Sequence, residues 1–208
     1  MPKDTFYNLP EEKRKKIVDA AIMEFGKYGF DAAGINRIVE NSDISKGSFY
    51  QYFDDKKDLY KYILELIANE KLKYMSPVFT NPNDHDFFVL IRELYLSGMM
   101  FAKENPIMME IGKKLLSDRN HPIYKEFIGE NIGVVNNIFE VLLDSAIQKG
   151  EVRKDIDKKM VAYMISILNT GIVEYFLDST GDDWDQLDDK MMNIVNQFIN
   201  FLEKGIAV

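Results

Sequence analysis

The polar side chains of Lys46, Ser48 and Tyr52 are hydrogen-bonding groups that fall within one short stretch of the chain. Phe49 and Phe53 lie four residues apart in the same stretch, so in a helix they share one face and the polar groups point elsewhere. A short helix that exposes such groups suits non-covalent recognition, through hydrogen bonds to the polar atoms of a partner. The chemistry that these residues offer is therefore binding.

The surrounding sequence predicts how these groups are positioned. The stretch 35–53 is INRIVENSDISKGSFYQYF, and its first half carries one apolar face built around Ile35 and Ile38. Residues 42–44 interrupt the helical pattern, and Ser45 then offers a hydroxyl that can cap a second short helix. Two short helices at this spacing predict a helix-turn-helix, whose second helix enters the major groove of DNA.

This region, taken with its flanking sequence, resembles the DNA-binding region of the tetracycline-repressor (TetR) family of bacterial regulators. The resemblance covers residues 16–60, about a quarter of the chain. It combines an amphipathic first helix, a Phe-Gly-x-x-Gly-Phe motif, the helix-turn-helix, and Tyr-x-x-Phe followed by Lys. The chain departs from the family pattern at Gly34, Val39 and Asp43. We expect a left-handed backbone at Asp43, which aspartate adopts at modest strain.

The resemblance implies DNA contacts for eight residues. The positions that correspond to base-edge contacts are Asn36, Arg37, Lys46, Gly47 and Ser48. The positions that correspond to phosphate contacts are Tyr50, Tyr52 and Lys56. Arg37 has the reach to form a forked contact with guanine, and Asn36 could pair with adenine. Gly47 is expected to act by lacking a side chain, which lets the backbone approach the groove.

The charge of the chain argues against DNA binding unless its cations are grouped. The net charge is −8, and residues 1–60 hold ten Lys and Arg against eleven Asp and Glu. Affinity for DNA depends largely on neutralising phosphates. A DNA-binding head therefore requires the basic residues to line one face. They are Lys13, Arg14, Lys15, Lys16, Arg37, Lys46, Lys56 and Lys57.

The composition also bears on where the protein works. The chain lacks cysteine, which excludes disulfides, zinc–thiolate sites and thiol catalysis and fits a reducing cytoplasm. The N-terminal residues contain no apolar signal region, and no apolar run approaches the ~18 residues of a membrane-spanning helix. We therefore expect a soluble, cytoplasmic protein with no membrane partner.

Sequence motifs for catalysis and for metal binding are missing as well. The chain has no Gly-rich phosphate loop, no G-x-S-x-G elbow and no H-E-x-x-H motif. His85 and His121 both stand at expected helix starts, where a surface or capping role is expected. The acidic sequence at 181–189 lacks the ligand spacing of an EF-hand. These observations predict that the protein is not an enzyme, uses no cofactor and holds no metal.

The remaining pattern predicts an all-α fold, because no alternating strand pattern or hairpin signal occurs. About nine helices are expected in all. Two of them form the helix-turn-helix, and the others are expected at 10–29, 55–74, 84–104, 106–116, 122–149, 158–178 and 184–204. The resemblance implies two parts. One is an N-terminal three-helix helix-turn-helix DNA-binding domain at 1–54, and the other is a C-terminal helical ligand-binding and dimerisation domain at 55–208.

The last two expected helices carry more apolar surface than one neighbouring layer covers. One interpretation is a single large core. The other, which we favour, is a homodimer closed by four helices, two from each copy. The expected interface residues are Ser166, Thr170, Val173, Ile194, Val195, Phe198 and Leu202. Such a dimer would place two recognition helices about 34–36 Å apart on a pseudo-palindromic operator.

The resemblance further implies that residues after about 55 form an effector pocket whose occupancy moves the helix that follows the DNA-binding head. The candidate wall residues are Phe88, Tyr95, Met99, Met108, Phe127, Phe139 and Tyr175. Methionine and aromatic side chains suit an adaptable apolar pocket, so we expect an apolar or aromatic effector.

Three hypotheses follow for the function. The first is a ligand-responsive regulator of transcription, in the form of a repressor dimer on double-stranded DNA that an unknown small molecule releases. The second is a helical ligand-binding or enzymatic protein whose hairpin does not bind DNA. The third keeps DNA binding without a ligand, as in an architectural protein.

Overall fold

The structure is a computed structural model that describes the backbone of residues 1–80, 85–180 and 187–208. Within these ranges it leaves out the side chains of 76–80, 130–132, 134, 170, 174, 177–180, 187 and 188. The helices are α1 (Asp4–Tyr7), α2 (Glu11–Ala32), α3 (Ile35–Asn41), α4 (Lys46–Tyr52), α5 (Lys56–Thr80), α6 (Phe87–Glu104), α7 (Pro106–Ser117), α8 (Pro122–Lys149), α9 (Lys158–Thr180) and α10 (Leu187–Ile206). These ranges contain one isolated bridge, Val152 to Ala207, and no strand. The predicted all-α fold is confirmed.

Local sequence signals set several of these boundaries. Pro106 and Pro122 occupy the first turns of α7 and α8, where a missing N–H costs nothing. Gly150 ends α8 in the left-handed conformation, with φ of 77°. Gly29 was expected to end α2, and its φ of 69° does interrupt the helix, which then continues to Ala32. The short helix α1 was not predicted.

The chain forms two compact units. The first consists of Met1–Leu72 together with Phe101–Asp118, and the second of Lys73–Met100 together with Arg119–Val208. The first unit thus contains α7 and the beginning of α5 as well as the helix-turn-helix. The proposed functional division after residue 54 is a separate matter and stays a prediction.

Aromatic side chains form the base on which the first unit holds α4. Phe49 and Phe53, from the end of α4, are fully buried, and their ring centres lie 5.5 Å apart. Phe6 of α1 lies 4.9 Å from Phe53, and Phe25 of α2 lies 4.7 Å from Tyr60 of α5. Burying each ring contributes about 1.5–3 kcal/mol. The two phenylalanines of α4 therefore fix which of its faces points outward.

A core of apolar side chains from α6, α8, α9 and α10 fills the second unit. Its members include Phe87, Leu90, Ile91, Leu143, Ala162, Ile165, Val195 and Ile199. The backbone N–H of Phe87 donates to the Glu151 carboxylate at 2.9 Å, which ties the start of α6 to the end of α8. The bridge between Val152 and Ala207 holds the end of α10 in the same unit.

The expected dimer interface stays a prediction, and this core covers most of its residues. Ser166, Val195, Phe198 and Leu202 are buried within a single chain, which leaves these side chains little surface for contact with a second copy. Val173 and Ile194 are half-buried against the same core, and the side chain of Thr170 lies outside the described residues. The reason is rotational: both helices are apolar over a wide arc, and the sequence does not specify which part of the arc faces inward.

Candidate nucleic-acid interface

The turn between α3 and α4 has the geometry that its sequence predicts. Asp43 adopts a left-handed backbone with φ of 53°, and the N–H of Ile44 donates to the carbonyl of Val39 at 3.1 Å. Ser45 then caps α4, because its hydroxyl accepts a hydrogen bond from the backbone N–H of Ser48 at 3.0 Å. The helix-turn-helix at 35–53 is therefore confirmed as a structural unit.

One face of α4 is open to solvent. Lys46, Gly47, Tyr50 and Gln51 are exposed, and Ser48 is half-buried. Tyr50 keeps 44% of its surface exposed although its ring contacts Phe49 edge-on. Lys46 makes no ion pair or hydrogen bond with any residue that the structure describes, so its ammonium is available to a partner. Asn36 of α3 is also exposed.

Gly47 has no structural need to be glycine. Its φ lies outside the left-handed region, and a Cβ added there would meet only the Ser45 hydroxyl, at 3.7 Å. The protein itself would therefore accept a side chain at this position. The observation agrees with the expectation that Gly47 serves the approach of an outside surface.

The expected base contact of Arg37 stays a prediction, and the structure shows this side chain bound within its own unit. Its Nε lies 2.8 Å and its Nη2 2.5 Å from the buried carboxylate of Glu24, and Nη2 also donates to the carbonyl of Ala32 at 2.7 Å. The guanidinium stacks 4.4 Å from the ring centre of Tyr28. The hydrogen bond to Glu24 raises the pKa of Arg37. This side chain pins α3 to α2, and a fork to guanine would require it to leave these partners.

Lys56 is engaged in a similar way. Its ammonium donates to the backbone carbonyls of Asp31 and Ala33 at 3.0 and 2.9 Å, and lies 4.6 Å from the ring centre of Phe30. A cation at these carbonyls satisfies the acceptors at the end of α2 and complements its dipole. The expected phosphate contact would compete with this role.

The expected phosphate contact of Tyr52 also stays a prediction, and the burial of this residue leaves little of it free for DNA. Only 6% of the residue is exposed, and its ring packs against Phe6 at 6.2 Å. This partner could not be predicted because α1 was not expected. A signal was present, since Phe6 and Tyr7 form an aromatic pair in an otherwise polar N-terminal segment.

The basic residues of the head give a smaller charged surface than expected. Lys13, Lys15 and Lys16 are exposed on α2, but Lys16 lies 4.0 Å from the Glu12 carboxylate. Arg14 donates to the carbonyl of Tyr7 at 3.1 Å. With Arg37 and Lys56 also engaged, the exposed cations Lys13, Lys15 and Lys46 are those of the group whose side chains make no hydrogen bond or ion pair with the described residues.

The candidate effector residues divide between the two units. Phe88, Tyr95, Met99 and Phe139 are buried in the core of the second unit. Phe127 belongs to the same unit and is half-buried. Met108 belongs to the first unit, and Tyr175 is 63% exposed, so these two do not line the second core. The hydroxyl of Tyr95 is buried and has no hydrogen-bond partner among the described atoms. Burial raises the pKa of Tyr95.

The structure also bears on metal and membrane binding. The described residues contain no group of three His, Asp or Glu side chains that could hold a metal ion. His121 caps α8, since its Nδ1 accepts from the N–H of Ile123 at 3.2 Å, as expected. Most of the acidic sequence at 181–189 lies outside the described residues. Among the residues that the structure describes, no helix is long and apolar enough to cross a membrane.

Known proteins resemble this chain over its helix-turn-helix region and over its whole length. The family model for bacterial regulatory proteins of the tetR family matches residues 17–63. A TetR family transcriptional regulator from Chloroflexus aurantiacus J-10-FL has a solved structure that is 31% identical, with a TM-score of 0.70, and the match covers 100% of this chain and 99% of that chain.

Two further relatives match at lower identity. The probable acrEF/envCD operon repressor of Escherichia coli (strain K12) is 22% identical over 167 residues, which are 79% of this chain and 76% of the repressor. The fatty acid metabolism regulator protein of Bacillus subtilis (strain 168) is 21% identical over 201 residues, which are 94% and 98% of the two chains.

The matched segment contains the helix-turn-helix whose second helix is open to solvent. The match to the Chloroflexus regulator extends over the second unit as well. The chain therefore belongs to the TetR family of bacterial regulatory proteins, and it is a DNA-binding transcriptional regulator.

Proposed function

We propose that the protein is a homodimeric repressor that binds a pseudo-palindromic operator through α4 and leaves it when a small apolar effector binds the second unit. The observation that carries the proposal is the outward face of α4. This face is held on a buried aromatic base and presents Lys46, Gly47 and Tyr50 to solvent.

The DNA-reading surface consists of Asn36, Lys46, Gly47, Ser48 and Tyr50. Lys46 contributes a free ammonium, and Tyr50 an exposed phenol that can donate to a phosphate. Ser48 contributes a hydroxyl 2.9 Å from that of Ser45, at the start of the helix. Arg37, Tyr52 and Lys56 act from behind this surface, where they hold α2, α3 and α4 in place.

A stripe of exposed apolar residues on α9 is the proposed dimer surface. Its members recur at helical spacing and are Met160, Tyr163, Met164, Ile167 and Tyr175, with Gly171 between the last two. The stripe extends about 22 Å along the helix. Phe201 of α10 is exposed as well. A second copy of the chain is the occupant we propose, because a self-complementary stripe of this length is what an isologous interface needs.

Repression is proposed from the relatives. The Escherichia coli relative is named as an operon repressor, and a dimer bound across a promoter blocks transcription by occupying it. The protein would act in the cytoplasm, in contact with the chromosome. The Bacillus subtilis relative is named for fatty acid metabolism, which makes fatty acids the first compounds to test as effectors.

The effector would bind in the second unit, where Phe88, Tyr95, Met99 and Phe139 meet in one core. Side chains of this kind can repack around an apolar molecule. The helix α5 contributes residues to both units, so a shift of its second half would be felt by its first. A coupling of about 1–3 kcal/mol would change operator affinity about 5- to 150-fold.

Binding to DNA from immediately upstream of the coding sequence tests the proposal. Fluorescence anisotropy in a salt series should show an affinity that falls about tenfold or more as salt rises from about 0.05 to 0.2 M. Tyr50→Ala should weaken binding while the native mass stays that of a dimer. Tyr124→Ala, at a half-buried tyrosine of α8 outside the DNA-reading surface and the α9 stripe, shows whether tyrosine removal by itself has this effect.

The alternatives predict other results. A helical ligand-binding protein with a non-DNA-binding hairpin would give weak binding that Tyr50→Ala does not change. A DNA protein without a ligand would bind the operator but keep it in the presence of dodecanoic and hexadecanoic acids and of aromatic compounds. Release of DNA by one of these compounds, together with a raised melting temperature, would support the repressor.

A further inference from the structure

We propose that the N-terminal segment Lys3–Tyr7, here called the N-terminal clamp, is a positioning element that fixes the C-terminal end of α4 for DNA recognition. The inference rests on the proposed role of α4 as the recognition helix. It assigns a function to residues that lie outside the segment 17–63 matched by the family model.

The clamp supplies hydrogen-bond donors to the carbonyl groups at the end of α4. The last carbonyls of a helix have no partner within the helix. In this protein the clamp supplies partners for three in succession. The Lys3 ammonium donates to the carbonyl of Tyr50 at 3.0 Å, the Thr5 hydroxyl donates to that of Gln51, and the Lys3 backbone N–H donates to that of Tyr52 at 2.9 Å.

The clamp also packs against α4 through the apolar side chain of Phe6. Phe6 is fully buried, and its ring centre lies 4.9 Å from Phe53, 5.4 Å from Tyr62 and 6.2 Å from Tyr52. Tyr62 belongs to α5, whereas Tyr52 and Phe53 end α4. Phe6 therefore packs between the end of the recognition helix and the helix that follows it.

The clamp places the positive charge of Lys3 beside the negative charge at the end of α4. The end of a helix carries partial negative charge, and Asp54 follows directly after α4. Both would repel DNA phosphates near Tyr50. The Lys3 ammonium lies 2.7 Å from the Asp54 carboxylate, and it places one positive charge between these two sources of repulsion. The same contact lowers the pKa of Asp54.

Helix length makes the clamp matter for recognition. α4 has seven residues, about two turns, and helices this short are marginal without tertiary contacts. Tyr50 and Gln51, whose carbonyls the clamp holds, are also residues with exposed side chains. If this last turn frays, Tyr50 loses its fixed position, and DNA must order it again at a cost in affinity.

Substitutions in the clamp of the full-length protein test this inference. Thr5→Val removes one hydroxyl without changing the shape of the side chain, and Lys3→Met removes one charge and one donor. Each should raise the Kd for the upstream DNA fragment by about fivefold to twentyfold. Each should also lower the ratio of specific to non-specific affinity, because a loose recognition helix reads bases less well. Lys3→Arg should restore most of the binding.

The controls separate recognition from stability. Asp4→Asn changes an exposed residue of the same segment and should leave the Kd unchanged. Native mass and melting temperature should stay close to wild type for Thr5→Val and Lys3→Met. Amide hydrogen exchange in residues 49–52 should accelerate, while exchange in α2 should not. Phe6→Ala should give the largest effect on the Kd, with some loss of stability.

Two failures can be told apart. If Tyr50→Ala abolishes operator binding but Thr5→Val and Lys3→Met bind with wild-type affinity and specificity, the clamp has no role in recognition and the proposed function stands. If Tyr50→Ala also binds normally, α4 is not the recognition helix, and both proposals fail together.

Discussion

At the scale of single residues, the polar side chains of the head divide by where their hydrogen bonds go. Arg37 and Lys56 donate to Glu24 and to backbone carbonyls of the same unit. Lys46 and Tyr50 stay exposed. A long cationic side chain near a buried carboxylate or a helix end gains charge-assisted hydrogen bonds there. Residues of one type thus take structural or DNA-binding roles according to their neighbours.

Gly47→Ala should weaken operator binding without destabilising the protein. An added Cβ meets only the Ser45 hydroxyl at 3.7 Å, whereas in the proposed complex it would meet DNA. We expect a rise in Kd of about tenfold or more, equivalent to about 1.4 kcal/mol, measured by anisotropy. Gly205→Ala, at an open position of α10, should change neither the Kd nor the melting temperature. Unchanged binding by Gly47→Ala would show that the backbone here does not approach DNA.

Because its phenol is buried, Tyr60 should lower the free energy of unfolding of the protein at alkaline pH. Burial, with a smaller contribution from Asp31, raises the pKa of Tyr60 to about 12. Below pH 10 the phenol is neutral in both the folded and the unfolded state, so the free energy of unfolding is not reduced by its ionisation. Between pH 10 and 12 only the unfolded state loses the proton, so the free energy of unfolding should fall by about 2–3 kcal/mol.

Urea denaturation at pH 9, 10.5 and 11.5 measures this effect. The slope of stability against pH should be shallower in Tyr60→Phe than in the wild type. Tyr28→Phe, which alters a tyrosine that is 38% exposed and lies outside the proposed dimer surface, should retain the wild-type slope. Equal slopes in all three proteins would contradict the assignment of the alkaline loss to Tyr60.

At the scale of helices, the first unit depends on a close approach of α2 to α7. A Cβ at Gly26 would lie 2.6 Å from Cγ2 of Ile107, which is shorter than any ordinary contact. The two helices could not pack this closely with a larger residue at that position. Because Ile107 is β-branched, its side chain has few other rotamers.

Gly26→Ala should therefore destabilise the protein, although alanine favours a helix. We expect a loss of about 1–3 kcal/mol from overpacking, against a gain of about 0.5–1 kcal/mol in helix propensity. The double variant Gly26→Ala with Ile107→Ala should recover part of the loss. Gly112→Ala on α7, with no atom within 4 Å of the added Cβ, should be slightly stabilising. Equal stabilisation by both alanines in urea denaturation would refute the close approach.

At the scale of the whole molecule, the apolar stripe of α9 is the largest unexplained feature of the second unit. Met160, Tyr163, Met164, Ile167 and Tyr175 are exposed on one chain, and an apolar surface of this kind usually marks an interaction site. Its contact with a second copy would bury on the order of 1,500 Å² if it is a standard interface. In the proposed dimer, this contact would set the spacing of the two α4 helices.

Met164→Arg should convert the dimer to a monomer and abolish high-affinity operator binding. A charge in the centre of an apolar interface has no partner and must be desolvated, whereas on the exposed monomer surface it costs little. Native mass spectrometry, circular dichroism and DNA binding give the three readouts. Met100→Arg, at an exposed methionine of α6, should stay dimeric. A dimeric Met164→Arg protein with wild-type DNA affinity would place the interface elsewhere.

Features that depend on near neighbours in the chain could be predicted from the sequence. The cap at Ser45, the left-handed Asp43, the prolines that open α7 and α8, and the pairing of Phe49 with Phe53 all involve residues within a few positions of each other. Such local preferences are the same in any fold that contains the segment. They were sufficient to predict the helix-turn-helix and the all-α class.

Which side chains remain free and which helix faces are buried depends instead on tertiary packing. Arg37 finds Glu24 thirteen positions away, and Lys56 finds the carbonyl of Asp31 twenty-five positions away. Phe6 meets α4 and α5 only after α1 has folded back on them. The rotation of α9 buried Ser166 and exposed Tyr175. These outcomes depend on packing between segments distant in sequence, which no local pattern encodes.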